Sequence, residues 1–187
     1  DQPEHYFAHG VQAALVGEAD HTLLDVLEAL NGEMGLGSWE VGRQRPLPSP
    51  IPQLLTSIPG LALPDPTTPG GVYKTPKRAP ERSPDNFPFP AWDLVDVERY
   101  RAAWVGAHGY FSLNMVSTRG CPFHCNWCAK PIWGQRYAMR SPANVAEELA
   151  WVKQHLRPDH IWFADDIFGL RPLWVAEFGR EVAARDA

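Results

Sequence analysis

The chain has 187 residues, with 17 Lys and Arg against 22 Asp and Glu, a formal net charge of -5 and 44% hydrophobic residues. That length allows one ordinary domain or two small ones with a buried core, and an acidic chain without a basic run gives no footing on a nucleic-acid backbone. No apolar window of about 18 residues is present to span a bilayer, and the amino end lacks the basic-then-apolar order of a secretory leader, so a soluble, cytoplasmic protein is expected.

In chain order, Ala13-Ala14-Leu15-Val16 reads as a short buried strand. Gly17-Glu18-Ala19-Asp20 then turns the chain, and Leu23, Leu24, Leu27 and Leu30 recur at helical spacing. Asp20 suits an N-cap and Gly32 a stop. Strand, glycine turn and helix make a βα unit: either a plain structural one, or one whose turn meets a ligand at the carboxyl end of the strand.

Thirteen of the 19 prolines fall between Pro46 and Pro90. Each removes a backbone donor and constrains its predecessor, so residues 46–106 read as a proline-rich connector without a long helix. Within it, Ile58-Pro59-Gly60-Leu61-Ala62-Leu63 and Val72-Tyr73-Lys74-Thr75 flank a Pro/Gly-rich turn and predict a small hairpin. Phe87-Pro88-Phe89-Pro90-Ala91-Trp92-Asp93-Leu94 is too aromatic for a solvated linker, and Trp92 is expected to be buried.

From residue 107 onward strand and helix alternate: a strand over Leu113 to Ser117, a cysteine loop, a helix, a strand over Ile161 to Ala164, a loop and a helix. That order predicts a parallel sheet. Ser141 caps the first helix, Pro142 suits its first turn, and Val145, Leu149, Val152 and Leu156 form one stripe. The second helix begins near Pro172, with Leu173, Ala176 and Val182 toward the sheet and Arg180 and Arg185 in water. Loops at the carboxyl ends of parallel strands converge, which directs Asp165 and Asp166 toward the cysteine loop; a cap-and-turn role before the Pro172 helix is the alternative.

All three cysteines lie in Cys121-Pro122-Phe123-His124-Cys125-Asn126-Trp127-Cys128, a C-x3-C-x2-C loop. An odd number on one short loop is no disulfide framework, and thiolates are ligands for iron-sulfur clusters and zinc. Three of them hold three corners of a 4Fe-4S cubane and leave one iron open. His124 offers a Cys3His zinc site as the rival, although structural zinc sites usually draw two knuckles from separated pairs. Gly120 lets the backbone turn close to the metal. Lys130, Arg136 and Arg140 supply positive charge after the loop or a wet surface, and Trp133-Gly134-Gln135-Arg136-Tyr137 stands where a substrate mouth would be shaped. His5, His9 and His155 are scattered and read as solvated or core residues.

The C-x3-C-x-aromatic-C loop, with Trp127 before its last cysteine and Leu113-Asn114-Met115-Val116-Ser117 upstream, resembles the signature of radical S-adenosylmethionine enzymes. Ser117-Thr118-Arg119-Gly120-Cys121-Pro122, followed by Arg140-Ser141-Pro142 and Phe163-Ala164-Asp165-Asp166-Ile167-Phe168, resembles the cobalamin-binding branch of that family. The likeness is most specific from about Phe87 to Gly169. It implies an α/β chain: the end of a Rossmann-like cobalamin-binding domain over residues 1–45, the connector over 46–106, and the first two βα units of a partial TIM-type barrel over 107–187. The family's barrel has more units than these two and its cobalamin domain more strands, so the chain is expected to be a fragment. The family's Asp-x-His-x-x-Gly cobalt-ligating motif does not occur in these residues.

The resemblance further implies a 4Fe-4S cluster on Cys121, Cys125 and Cys128 that binds S-adenosylmethionine at its open iron and cleaves it to a 5'-deoxyadenosyl radical. Cobalamin-dependent methyl transfer, cyclisation or rearrangement would follow. Trp127 would lie near the adenine. Asp165 or Asp166 would meet the methionine amino group, where the family usually has Gly-Gly-Glu, and Gly17 and Glu18 would meet cobalamin. The implied partners are a small-molecule, lipid, pigment or natural-product substrate and an electron donor such as flavodoxin or ferredoxin, with no nucleic acid and no transmembrane segment. A cluster- and cobalamin-binding module without turnover, and a structural zinc protein, are the competing readings.

Overall fold

A computed structural model describes residues 2–34, 53–128 and 136–187. The start of the connector, from Pro46 to Pro52, and Lys130, Trp133, Gly134 and Gln135 lie outside the described residues. The chain divides into two compact units, Asp1–Pro80 and Glu81–Ala187. Residues expected to form one connector are shared between them.

In the first unit a short helix, α1 (Pro3–Phe7), precedes β1 (Ala14–Leu15) and α2 (Asp20–Met34). A 3-10 turn at Gln53–Ser57 leads to β2 (Leu61–Pro64) and β3 (Val72–Lys74). The predicted hairpin forms: β2 and β3 pair antiparallel with Leu63 opposite Tyr73. β1 adds to the free edge of β2, also antiparallel, with Leu15 opposite Leu61. Asp65 closes the hairpin turn by accepting from Thr67 N at 2.8 Å and Thr67 Oγ1 at 2.7 Å. These bonds to the ionised form, the hydroxyl first, hold its carboxyl below the usual range.

The core of this unit is Val26, Leu30, Leu55, Ile58, Leu61 and Leu63, flanked by Ala13 and Ala29. Two expectations are corrected here. β1 is not a buried strand, since Leu15 and Val16 are exposed. Helix α2 turns a different face inward: Thr22, Val26 and Leu30 are buried, whereas Leu23, Leu24 and Leu27 are exposed. The apolar arc of this helix is wide enough to serve either side, and the hairpin core takes the Val26 side. Nor does Gly32 stop the helix, which runs on to Met34. Thr22 Oγ1 donates to Pro59 O at 3.1 Å and accepts from Arg78 Nε at 2.8 Å, while Arg78 also pairs with Asp25.

The second unit opens with 3-10 turns at Pro84–Asn86 and Trp92–Leu94, then α3 (Val97–His108), β4 (Ser112–Met115), β5 (Thr118–Arg119), β6 (Ala138–Met139), α4 (Pro142–Leu156), β7 (His160–Phe163) and α5 (Pro172–Arg185). Helix α3 was not expected. Its start is marked by Asp96, which accepts from Arg99 N at 3.0 Å, and its end by Gly109 at φ 80°. None of its residues is fully buried; Val97, Tyr100 and Trp104 share one face, and Val97 packs against the Phe111 cluster.

β4 and β7 pair in parallel as predicted, Leu113 beside Ile161 and Met115 beside Phe163, with α4 in the crossover between them. Their common face packs into two clusters. Phe111, Leu113 and Val152 gather Trp92, Val97, Leu156 and Ile161; Met115, Val145 and Trp174 gather Met139, Leu149, Phe163 and Phe178. The Ser141 cap and the stripe on α4 stand as predicted, with Asn144 N donating to Ser141 Oγ at 3.2 Å. Trp92 is half-buried rather than buried. In α5 the inward stripe is Trp174 and Phe178, while Leu173 is 85% exposed and Ala176 is exposed. Two aromatics one turn apart bury more area than the leucine and alanine can, so the helix rolls to place them inside.

Candidate functional site

The cysteine loop leaves the carboxyl end of β4, where parallel α/β layers collect ligands. Ser117 and Thr118 follow the strand and are buried. β5 then pairs antiparallel with β6, Thr118 opposite Met139 and Arg119 opposite Ala138, which closes the loop at its base. Past β5, Gly120 sits at φ 78°, a left-handed conformation that favours glycine and turns the chain into Cys121. The Arg119 guanidinium lies 4.0 Å over the Phe87 ring, which fixes the outgoing arm.

Beyond Gly120 the loop is open to solvent. Cys121 is half-buried, Cys125 and Cys128 are exposed, and no cysteine is in a disulfide. Trp127 is 88% exposed. Cys128 N donates to Cys125 O at 3.4 Å, a long bond. The donor set fits an iron-sulfur cluster by chemistry: three thiols on one exposed loop behind a glycine turn. The thiols are not drawn together, however. Among the described residues no group of three or more His, Cys, Asp or Glu side chains is placed to hold a metal ion. Apolar packing, which shapes the rest of this unit, has little hold on one half-buried and two exposed thiols, and closure of such loops is coupled to metal binding.

Asp165 and Asp166 follow β7 at the same end of the parallel pair, as expected, but they differ in use. Asp165 is committed to the segment that joins β4 to β5: its Oδ1 accepts from Ser117 N at 2.7 Å and Thr118 N at 3.0 Å, and its Oδ2 accepts from Ser117 Oγ. Asp166 is exposed. Ile167 O accepts from Thr118 Oγ1 at 3.2 Å and Tyr137 Oη at 3.3 Å. Ser117, Thr118 and Tyr137 were missed as supporting residues. The available signal was a pair of hydroxyl residues directly after one strand and a carboxylate directly after the next.

Arg140 is not a wet surface residue. Its Nη1 donates to Val116 O at 2.8 Å and its Nε to Asn144 Oδ1 at 2.7 Å. Its Nη1 also lies 2.5 Å from Glu148 Oε2, in a pair whose side chains are 13% and 3% exposed. That contact is a close charge pair without hydrogen-bond alignment, because Glu148 Oε2 has no hydrogen-bond partner. Trp174 Nε1 donates to Arg140 O at 2.7 Å and seats α5 on the same residue.

Burial pushes the Tyr137 phenol above its ordinary value of 10.0, and the charge of Asp165 adds to the shift. The folded state therefore holds this proton more tightly than the unfolded chain does. The stability it contributes is complete below pH 10.0 and is lost as pH rises from there through the folded value. Unfolding followed across that alkaline window should show a decline in wild type that Tyr137→Phe lacks.

In the first unit the turn after β1 carries Gly17 and Glu18. Gly17 is exposed at φ 86°, and no atom beyond its chain neighbours lies within 4 Å of where a Cβ would stand. Glu18 is 4% exposed and turned inward.

The whole chain superposes on the cobalamin-dependent S-adenosylmethionine radical enzyme OxsB solved with aqua-cobalamin, at a TM-score of 0.69, 16% identity and 23% coverage of that protein. The chain has the fold of this part of the cobalamin-dependent radical S-adenosylmethionine enzymes. A second such structure, the radical S-adenosylmethionine methyltransferase TsrM from Kitasatospora setae with tryptophan and a SAM analog, matches 98% of the chain and 31% of its own length, at a TM-score of 0.62 and 18% identity. No family model matches. By sequence, 54% of the chain is 34% identical to 21% of an uncharacterized methyltransferase of Pyrococcus horikoshii. A further 26% identity links 83% of the chain to 30% of cytidylyl-2-hydroxyethylphosphonate methyltransferase of Streptomyces wedmorensis. The anaerobic magnesium-protoporphyrin IX monomethyl ester cyclase of Synechocystis is 33% identical over 61 residues, 33% of the chain and 11% of the cyclase. The chain thus spans under a third of the curated relatives it matches. The radical S-adenosylmethionine resemblance carried by the cysteine motif and the fold of the structural neighbours agree.

Proposed function

We propose that this chain carries the cluster-binding loop of a cobalamin-dependent radical S-adenosylmethionine enzyme that transfers a methyl group to a small molecule. The observation that carries the reading is that all three cysteines lie on one loop following a parallel strand, while Asp166 follows the neighbouring parallel strand at the same end. Cys121, Cys125 and Cys128 would hold three irons of a 4Fe-4S cluster and leave the fourth for the amino and carboxylate groups of S-adenosylmethionine. When bound, the cluster supplies the electron that cleaves S-adenosylmethionine to a 5'-deoxyadenosyl radical.

The chain's own residues bind and orient. Asp166 would accept from the methionine ammonium, a charge-assisted bond, since Asp165 is engaged with Ser117. Trp127 offers an apolar face to the adenine. In the first unit the open Gly17 backbone is the surface for cobalamin, with Glu18 supporting the turn from within. The names of the matched methyltransferases support methyl transfer, and that of the matched cyclase supports ring formation as the alternative outcome. No helix among the described residues is long and apolar enough to cross a membrane, and a flavodoxin- or ferredoxin-type donor would complete the electron supply.

The test is anaerobic reconstitution of the intact protein with iron and sulfide, followed by dithionite and S-adenosylmethionine. The expected product is 5'-deoxyadenosine. Zinc without iron or sulfide after anaerobic preparation would overturn the reading in favour of a structural metal, and a loaded cluster that never yields 5'-deoxyadenosine would favour a binding module.

A further inference from the structure

We infer that the turn after β7, from Asp165 to Ile167, is a clasp that grips both arms of the cysteine loop, with Asp165 a positioning residue of that loop rather than a ligand contact. This rests on the proposed role of the loop but is argued from contacts the cysteines do not make. The outgoing arm is held three times by one carboxylate, through Ser117 N, Thr118 N and Ser117 Oγ. It is held again by Ile167 O, which accepts from Thr118 Oγ1 at 3.2 Å. The returning arm is held by the same carbonyl, which accepts from Tyr137 Oη at 3.3 Å. One backbone oxygen therefore bridges residues on either side of Cys121–Cys128, at the level where β5 and β6 pair.

The arrangement has a physical consequence. Ser117 and Thr118 are buried, so their donors would cost free energy if left unpaired, and a carboxylate is the strongest acceptor a side chain offers. The bonds are made between residues 47 to 49 positions apart, so they tie the exit of β7 to the exit of β4 independently of the two-strand ladder. The first thiol, that of Cys121, emerges just beyond the clasp, past Gly120. Asp166, next to Asp165, is thereby carried in a fixed relation to the loop base. Whatever the cysteines bind and whatever Asp166 meets are set in register by the Asp165 carboxylate.

The test compares Asp165→Ala with Asp165→Asn in the intact protein. Asparagine keeps an oxygen for the two backbone donors, and alanine keeps none. In metal-free protein, Asp165→Ala should speed amide exchange at Ser117 and Thr118 by roughly 10-fold to 100-fold, the equivalent of a charge-assisted hydrogen bond, and should speed alkylation of Cys121. Asp165→Asn should restore most of the protection. On reconstitution, Asp165→Ala should retain less iron per chain than Asp165→Asn. Exchange and alkylation in Asp165→Ala equal to wild type would overturn the clasp. Should Asp165→Ala fail to fold, Thr118→Val with Tyr137→Phe removes both donors to Ile167, and unchanged Cys121 alkylation in that double variant would overturn it equally. The two readings separate cleanly. A wild-type protein that takes up no iron while Asp165→Ala still loosens Ser117 and Thr118 leaves the clasp standing without the cluster; normal iron loading with wild-type exchange in Asp165→Ala leaves the cluster without the clasp.

Discussion

Single replacement of Cys121, Cys125 or Cys128 by alanine is expected to abolish iron-sulfur loading of the intact protein and, with it, formation of 5'-deoxyadenosine. The three thiols are the chain's entire complement, so no other cysteine within these residues can take the place of a lost one. Removing even an outer-shell partner of a metal ligand costs roughly 10-fold to 100-fold in affinity or activity, and loss of a direct thiolate should exceed that. Iron and sulfide analysis and the low-temperature paramagnetic resonance spectrum after dithionite give the readout. His124→Ala is the control. It should retain full iron content, and a loss equal to that of the cysteine variants would instead indicate a Cys3His site.

The largest effect on stability is expected at Glu148. Its carboxylate is buried and the Arg140 side chain is only 13% exposed, and Arg140 also ties Val116 O and Asn144 to the start of α4. Glu148→Leu leaves the guanidinium charge without its counter-ion. Breaking a buried pair in this way costs about 3–5 kcal/mol, far above the roughly 0–1 kcal/mol of an exposed pair. For a chain of this size that is a fall of about 2–4 °C in Tm for each kcal/mol. The double variant Arg140→Met with Glu148→Leu should recover much of the loss, since a well-packed apolar pair often matches a buried ion pair. Thermal unfolding of the wild type, the single variant and the double variant reads this directly. A Glu148→Leu protein within about 1 kcal/mol of wild type would show that the pair behaves as an exposed one.

Features written in local sequence were legible in advance. Ser141-Pro142 and the Val145, Leu149, Val152, Leu156 stripe define α4 within one turn of residues, and the structure keeps both. The hairpin of β2 and β3 followed from two short apolar runs around a proline-glycine turn. The parallel pairing of β4 and β7 followed from alternation of strand and helix. What failed was choice among equivalent faces. On α2 Leu30 of the expected run is buried, but Val26 displaces Leu23, Leu24 and Leu27, and on α5 Trp174 displaces Leu173. Spacing alone cannot rank them, because the partner surface decides. Helix α3 buries no residue fully, so its Val97, Tyr100 and Trp104 face is weak, and Asp96 and Gly109 mark its ends.

The candidate site divides in the same way. The cysteine loop and its glycine turn were visible because the donors are adjacent in sequence. The employment of Asp165 was not, because its partners lie 47 and 48 residues earlier and meet it only through the register of the parallel pair. Likewise, no spacing rule links Arg140 to Val116 O across 24 positions. Long-range polar contacts of this kind are set by topology: the sequence offers the hydroxyls and the carboxylate after successive strands, but only the strand pairing joins them.

Among the described residues β4 and β7 have only each other as hydrogen-bonded neighbours. Each therefore presents an outer rim of amide and carbonyl groups, and Trp162, 61% exposed, stands beside Asn114 on the face away from the helices. A bare rim next to an oily ring is an invitation for strands of another molecule to zip on. A strand laid along either rim would find its backbone partners already aligned.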